Sequence, residues 1–467
     1  MTEMMKRLAS LPEGRRAQFL AQLRAQVEGA ATRGPRPRRD TGPAPLSHSQ
    51  ETLWFLDKLA PDSPTYSVPL CTRIRGDLDL AALRGALAEV VARHEALRTA
   101  IVEHEEGPVQ IVAAQVPVEL PVREVSGLAD PQAAARALLD EAIHTPFDLT
   151  KMPMWRAFLV QLAPDDHYFF FNVHHIVFDG WSMGLLSGEL AELYRAAVEG
   201  TPADLPDLPV QYPDYSCWQR EWLSGDGLDE LAGYWREQLS GAEVLEFPTD
   251  RPRGDSLSFN GSFETVPVDR SAMARTQALA REEGVTPFNV YVAAFLTLLQ
   301  RYSGLDDLVI GSPNANRRHN SVERVIGFFI NMMVLRADLS GNPTFRELIQ
   351  RLKPVLRDAF VHGDLPFGKL VDAVNPARDP SRSPIFQIVF ALQNVGSPVT
   401  LPGLDVTGEE VRLGTSRFDM SWNLVEKPDA DGAVAIEYNT DLFDADSILT
   451  FAGHFRELLA NLTETPD

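Results

Sequence analysis

The sequence predicts an α/β protein with more than one domain. Three observations predict it. The chain has 467 residues, too many for one ordinary core and enough for two or three domains. Strand-type apolar runs alternate with helix-period runs in both halves of the chain. One passage shows the switch directly. Phe169 to Val173 is an aromatic, apolar run of strand type, and Gly180 breaks it. From Trp181 onward Leu185, Leu186, Leu190, Leu193 and Tyr194 recur at helical steps.

That passage also concentrates chemistry. His174 and His175 stand where the strand ends, and the loop after them feeds a helix N-terminus. Neighbouring side chains on a strand point to opposite faces. One histidine is therefore expected in the packed interior and the other in an open space. A histidine with a near-neutral pKa at a cleft is the usual general base. The helix start and the Gly180 amide offer N–H groups to a developing negative charge. The same histidines with Asp179 raise the question of a metal. Adjacent strand residues diverge, however, and no other His, Cys or Asp cluster has ligand spacing, so no metal is expected.

Composition bounds the partners. Hydrophobic residues make up 44% and charged residues 23%, ordinary for a soluble globular protein. No apolar run is long enough to span a bilayer, and Met1 to Arg7 begin no signal peptide. Cys71 and Cys217 read as free buried thiols of a reducing compartment. The expectation is a cytoplasmic protein with no membrane partner. The net charge of −22, from 43 basic and 65 acidic residues, argues against nonspecific nucleic-acid binding. The dense basic run Arg33-Gly34-Pro35-Arg36-Pro37-Arg38-Arg39 reads as a flexible linker, with partner docking as the alternative.

The elements follow in order. Leu11 to Val27 reads as an amphipathic helix, and the basic linker follows it. Residues 1–45 thus form an N-terminal helix and linker, 46–225 a first lobe and 226–467 a second. The first lobe opens on a serine-capped helix with Leu53, Trp54 and Leu56 in the core. A strand at 67–74 and a helix at 78–91 come next. Strands near Ile101, at 110–113 and at 155–162, and a helix at 131–143, precede the histidine strand. Pro202, Pro206, Pro209 and Pro213 mark the way out, and Tyr212 to Trp218 reads as the aromatic anchor of a helix. In the second lobe helices are expected at 271–282 and 286–302, the latter capped by Thr286 with Pro287 behind it. Strands at 308–311, 386–392, 418–425 and 434–438 and a helix at 446–459 finish the chain.

The spacing His174-His175-x-x-x-Asp179-Gly180 is that of an HHxxxDG motif. Here the chain resembles the condensation domains of nonribosomal peptide synthetases, within the chloramphenicol-acetyltransferase-like superfamily. Other family motifs follow in family order. Arg93-His94-Glu95-Ala96-Leu97-Arg98-Thr99 matches RHEALRT without a change, and Arg378 to Gln387 closely matches RDxSRxPLFQ. The opening helix departs from the family pattern with Ser49 for alanine and Thr52 for arginine. Ile326 to Met332 follows IGFFVNT, with Met332 for threonine. His362 to Gly368 follows HQDxPFE, with Gly368 for glutamate.

The resemblance implies two α/β lobes in a V-shaped pseudo-dimer with an active-site tunnel between them. It implies an acyl thioester carried on the phosphopantetheine arm of an acyl or peptidyl carrier protein, with no cofactor bound by the domain itself. The acceptor is a small-molecule amine, giving an amide, or an alcohol, giving an ester. His175 is then the residue that positions the nucleophile and accepts its proton, and Gly180 meets the oxyanion. His174 is a packed core histidine. Asp179 either orients a histidine or forms a structural ion pair, for which Arg317 is the partner. Arg93 and Arg98 brace the lobe, Trp181 and Ser182 line the substrate tunnel, and Asn331 either touches substrate or braces the tunnel floor. An epimerisation-like domain and a non-catalytic, partner-recruiting domain are the alternatives. The start methionine suggests a free-standing enzyme with a soluble acceptor, of the kind found in enediyne-type pathways.

Overall fold

The structure, a computed structural model, describes residues 34–60, 63–377, 379–393, 400–427 and 430–467. The helix expected at Leu11 to Val27 lies outside them. The strands are β1 Ala44–Pro45, β2 Ser67–Arg75, β3 Thr99–His104, β4 Gly107–Val112, β5 Val122–Glu124, β6 Trp155–Ala163, β7 Asp166–His174, β8 Gly261–Val268, β9 Asp307–Asn314, β10 Asn331–Asp338, β11 Ile388–Gln393, β12 Asp405–Glu409, β13 Met420–Val425 and β14 Gly432–Asn439. The helices are α1 His48–Leu59, α2 Leu80–Arg93, α3 Pro131–His144, α4 Gly180–Glu199, α5 Tyr212–Trp222, α6 Asp226–Gln238, α7 Arg270–Glu283, α8 Pro287–Ser303, α9 Phe345–Val361, α10 Phe367–Val374 and α11 Ala445–Glu464.

Two lobes are built on two mixed sheets. The first lobe holds a five-stranded sheet in the order β12-β2-β7-β6-β5, and the second a six-stranded sheet in the order β10-β9-β11-β13-β14-β8. A small third sheet, β1-β4-β3, flanks the first lobe. β7 lies in the middle of the first sheet, so both its faces are covered. One face packs Phe169, Phe171 and Val173 into the main core with α2 and α4. The other packs Phe170, beside Phe158 of β6, under α3. This is why the run reads as continuously apolar instead of alternating.

The halves of the chain interlock. β12 belongs to the second half by sequence, yet it pairs antiparallel with β2, with Asp405 opposite Arg75 and Glu409 opposite Cys71. Val322, Val325, Ile326, Phe328 and Phe329 are also second-half residues, and they are buried in the first lobe's core. Gly327 sits among them because the Tyr212 ring fills the place of a side chain. A Cβ at 327 would lie 2.0 Å from that ring. The basic stretch differs from the flexible linker expected. Arg38 is nearly buried and pairs with Glu95 at 2.8 Å and Asp214 at 3.1 Å. Two carboxylates facing one guanidinium hold this segment against α5 and the end of α2. No helix among the described residues is long and apolar enough to cross a membrane.

Candidate active site

The central strand β7 delivers its last residue, His174, into a single turn of 3-10 helix over His175–Val177. Asp179 then caps α4, accepting the Ser182 N–H at 2.8 Å. The strand period stops at His174, so alternation does not separate the two histidines. Both are buried, His174 at 5% and His175 at 8% exposure, which corrects the expectation of one inside and one in the open.

Their rings are held in opposite tautomers. The Nδ1 of His174 accepts the Ile176 N–H at 3.1 Å, so its proton is on Nε2. The Nδ1 of His175 faces the Phe178 carbonyl oxygen at 2.6 Å, so its proton is on Nδ1 and the lone pair is on Nε2. Phe328 supports the His175 ring edge-on at 5.0 Å. Burial, followed by the nearby Arg417 charge, pushes His175 down to about 3. Burial, then His175, then Arg417 push His174 to about 3 as well. The near-neutral titration expected of a cleft histidine is therefore absent. His175 is a neutral hydrogen-bond acceptor at neutral pH, and it becomes a better proton acceptor only when negative charge develops beside it.

The aspartate end of the motif is a closed network. Asp179 Oδ1 accepts from Arg317 Nη2 at 2.9 Å and from the Ser182 hydroxyl at 2.7 Å, and Oδ2 accepts the Phe329 N–H at 3.0 Å. Arg317 also donates to the Val325 and Val322 carbonyls, and its guanidinium lies 4.0 Å over the Phe329 ring. Both charged side chains are 2% exposed. Both carboxylate oxygens are occupied, and neither takes a histidine proton. Ser182, expected along the tunnel, is instead fully buried in this network, which corrects that expectation. Its hydroxyl also contacts the Gly327 backbone at 3.1 Å.

The remaining candidates separate by place. Gly180 is exposed at the first position of α4, where the N–H has no acceptor inside the helix. A Cβ there would meet nothing within 4 Å. The fold does not need this glycine, and its missing side chain leaves the approach to the helix end open. Trp181 is half exposed and donates from Nε1 to the Glu323 carbonyl at 2.8 Å. It borders a surface cavity of about 420 Å³ with Asn314, Asn316, Arg317 and Phe360. Asn331 spends all its polar atoms on one turn. Its Nδ2 donates to the Gly363 and Leu365 carbonyls, and its Oδ1 accepts the Phe367 N–H at 3.0 Å. Arg93 reaches Glu189 at 3.3 Å and the Pro206 carbonyl at 2.9 Å. Arg98 donates to the Ala113 and Ala92 carbonyls. His94 is fully buried between Glu189 and the Ile326 N–H, so it ties the first lobe to the inserted loop. Among the described residues no cluster of His, Cys, Asp and Glu could hold a metal.

Sequence reasoning missed two residues that matter here. Tyr212 donates to the Phe328 carbonyl at 2.6 Å and contacts the Ser47 hydroxyl at 2.8 Å, fixing the loop that backs His175. Arg417 crosses from the other lobe to Thr65 and Tyr66, close enough for its charge to act on the histidines. Its only local signal was a basic residue ahead of Phe418-Asp419.

Comparison with known proteins gives the family and the fold. The model of a family described as Condensation domain matches residues 41–467. The chondramide synthase of Chondromyces crocatus is 39% identical over 435 residues, covering 92% of this chain and 11% of that protein. A linear gramicidin synthase of Brevibacillus parabrevis is 42% identical over 435 residues, covering 91% of this chain and 8% of that protein. This chain thus spans a small part of either relative. The X-domain from teicoplanin biosynthesis superposes with a TM-score of 0.82 at 28% identity, covering 92% of this chain and 97% of that one. SgcC5 from Streptomyces globisporus, solved in complex with (R)-(-)-1-(2-naphthyl)-1,2-ethanediol and sucrose, gives a TM-score of 0.76 at 27% identity, covering 91% and 99%. The chain belongs to the condensation domain family.

Proposed function

We propose that this domain transfers an acyl group from a carrier-protein phosphopantetheine thioester to an amine, forming an amide. The observation that carries the reading is the orientation of His175. Its Nδ1 proton is held by the Phe178 carbonyl, which leaves the Nε2 lone pair for an incoming N–H or O–H. The amine nitrogen attacks the thioester carbon while His175 holds one of its protons. The carbonyl electrons move to oxygen, where the Gly180 N–H at the start of α4 offers a donor. Collapse breaks the C–S bond, and the sulfur leaves as a thiol with the proton that His175 accepted. The domain needs no covalent intermediate and no cofactor of its own. Holding both reactants at one place supplies much of the rate. Cys71 and Cys217 are free thiols, in keeping with a cytoplasmic setting.

A second reading, ester formation with a soluble alcohol, draws on SgcC5, which was solved with a diol bound. The test is single-turnover transfer followed by intact-protein mass spectrometry. Aminoacyl carrier protein is mixed with soluble amines, soluble alcohols and an aminoacyl acceptor on a second carrier, using wild type and His175→Ala. Loss of the acyl group with an amide product, abolished by the substitution, is expected. An ester product selects the second reading. Exchange of the tethered α-proton without transfer points to epimerisation, and no reaction with any acceptor leaves a partner-recruiting domain.

A further inference from the structure

Arg417 differs from half-buried arginines whose N–H groups are spent: Arg98 and Arg156 donate to backbone carbonyls. Arg38, Arg73, Arg253, Arg336 and Arg382 each pair with a carboxylate. Arg417 pairs with none among the described residues. Its Nε makes one long contact, 3.4 Å, to the Thr65 carbonyl, and its guanidinium lies 5.5 Å from the Tyr66 ring. Its backbone N–H donates to the Glu437 carboxylate at 3.2 Å, which anchors the main chain and leaves the side chain to reach across. Among the described residues neither Nη has an acceptor.

The place it reaches is the Thr65-Tyr66 turn beside the histidine strand. Arg417 stands between β12 and β13, whereas Thr65 and Tyr66 lead into β2 of the first lobe. The first residue of β2, Ser67, is the cross-strand partner of His174, and the Tyr66 ring is 6.4 Å from the His174 ring. The cation is therefore hung from the residues that flank the end of β7. Its charge helps keep both imidazoles neutral. A guanidinium with unused N–H groups in a partly dry site is a fork set for an oxygen ligand.

We propose that the Arg417 guanidinium binds a negatively charged oxygen of the acyl substrate beside the histidine pair. This rests on the acyl-transfer reading and adds a residue to it. The oxygen has two sources. One is the oxyanion created when the nucleophile's electron pair forms the new bond and the carbonyl π pair moves to oxygen. It disappears when the C–S bond breaks and the sulfur leaves. The other is a permanent carboxylate carried on the acyl group.

The experiment measures single-turnover kinetics of Arg417→Gln and Arg417→Lys against wild type, with alanyl and aspartyl carrier thioesters. The oxyanion source lowers kcat about 10²- to 10³-fold for both donors with KM little changed. The carboxylate source confines the loss to the aspartyl donor and puts most of it in KM. In either case Lys, which keeps the charge and loses the fork, recovers part of the activity. Wild-type kcat and KM in Arg417→Gln with both donors overturns the proposal. Calorimetry with an acyl-pantetheine phosphonate and its neutral amide analogue is read on the folded proteins. Tighter phosphonate binding in wild type, levelled in Arg417→Gln, supports the proposal. Equal binding or no binding in both proteins overturns it. If wild type transfers nothing, the acyl-transfer reading fails, and the calorimetry still decides the role of Arg417.

Discussion

The two ends of the seven-residue motif are built in opposite ways. At the aspartate end, Asp179, Ser182 and Arg317 satisfy one another and are sealed from solvent. At the histidine end, His175 has one strong partner for Nδ1 and a lone pair on Nε2, with an open helix start five residues away. A saturated network has nothing left to offer a substrate, and its work is to hold the lobes in register. On the proposed acyl-transfer reading, the incompletely bonded residue carries the chemistry. The conspicuous carboxylate is then architectural, and the imidazole beside it is the functional group.

The largest expected effect comes from breaking the saturated end. Asp179→Ala leaves Arg317 buried without its counter-charge and is expected to cost about 3–5 kcal/mol in urea unfolding. Arg317→Ala costs a similar amount, and the double variant loses less than the sum of the two, because the residues share one network.

Next comes pH. In the unfolded chain both histidines take up protons near the usual 6.5, whereas burial holds them neutral in the fold down to about 3. Their folded pKa values are depressed, so the unfolded state binds more protons through that window. The folded state is favoured above 6.5 and loses stability as pH falls toward 3, by about 1.4 kcal/mol per pH unit for each histidine. Urea midpoints at pH 7 and pH 5 should show this fall, and His175→Asn should reduce it.

Tyr212→Phe tests the support behind His175. Removing the hydroxyl leaves the Phe328 carbonyl and the Ser47 hydroxyl short of a buried partner, at about 1–3 kcal/mol. Differential scanning calorimetry reads the loss.

Gly180→Ala has the smallest effect on stability and separates the two ends most cleanly. The backbone there is compatible with alanine and a Cβ meets nothing, so the melting temperature should hold or rise, by less than about 1 kcal/mol in free energy. The acyl-transfer rate should fall, because the new methyl group stands before the helix N-terminus.

Much of the fold was legible because its signals are local. β7 and α4 came from the change of period, and α8 came from Thr286 and Pro287. What escaped depends on distance along the chain. β12 is short and mostly exposed, and only its pairing with β2 makes it a strand. β10 is an apolar run defined by β9 beside it, and α9 carries an interior Pro354 that blurs its helical signal. The family departures at Thr52 and Gly368 looked unrelated, yet a Cβ at 368 would lie 3.1 Å from the Thr52 hydroxyl, so the two positions face each other. The site followed the same rule. The motif named the histidines and the aspartate, but alternation along the strand misjudged their burial, because the strand ends between them. Arg417 lies 242 residues from His175 in sequence (417 − 175), and no spacing rule connects them.

The most direct measurement is the single-turnover transfer rate of folded His175→Ala and folded Asp179→Asn, each beside wild type at a temperature where both variants remain folded. The expected result is loss of at least about 100-fold in folded His175→Ala, and a rate within about tenfold of wild type in the destabilised Asp179→Asn. Wild-type transfer by His175→Ala, or a folded Asp179→Asn as inactive as His175→Ala, would contradict the division between a chemical end and an architectural one.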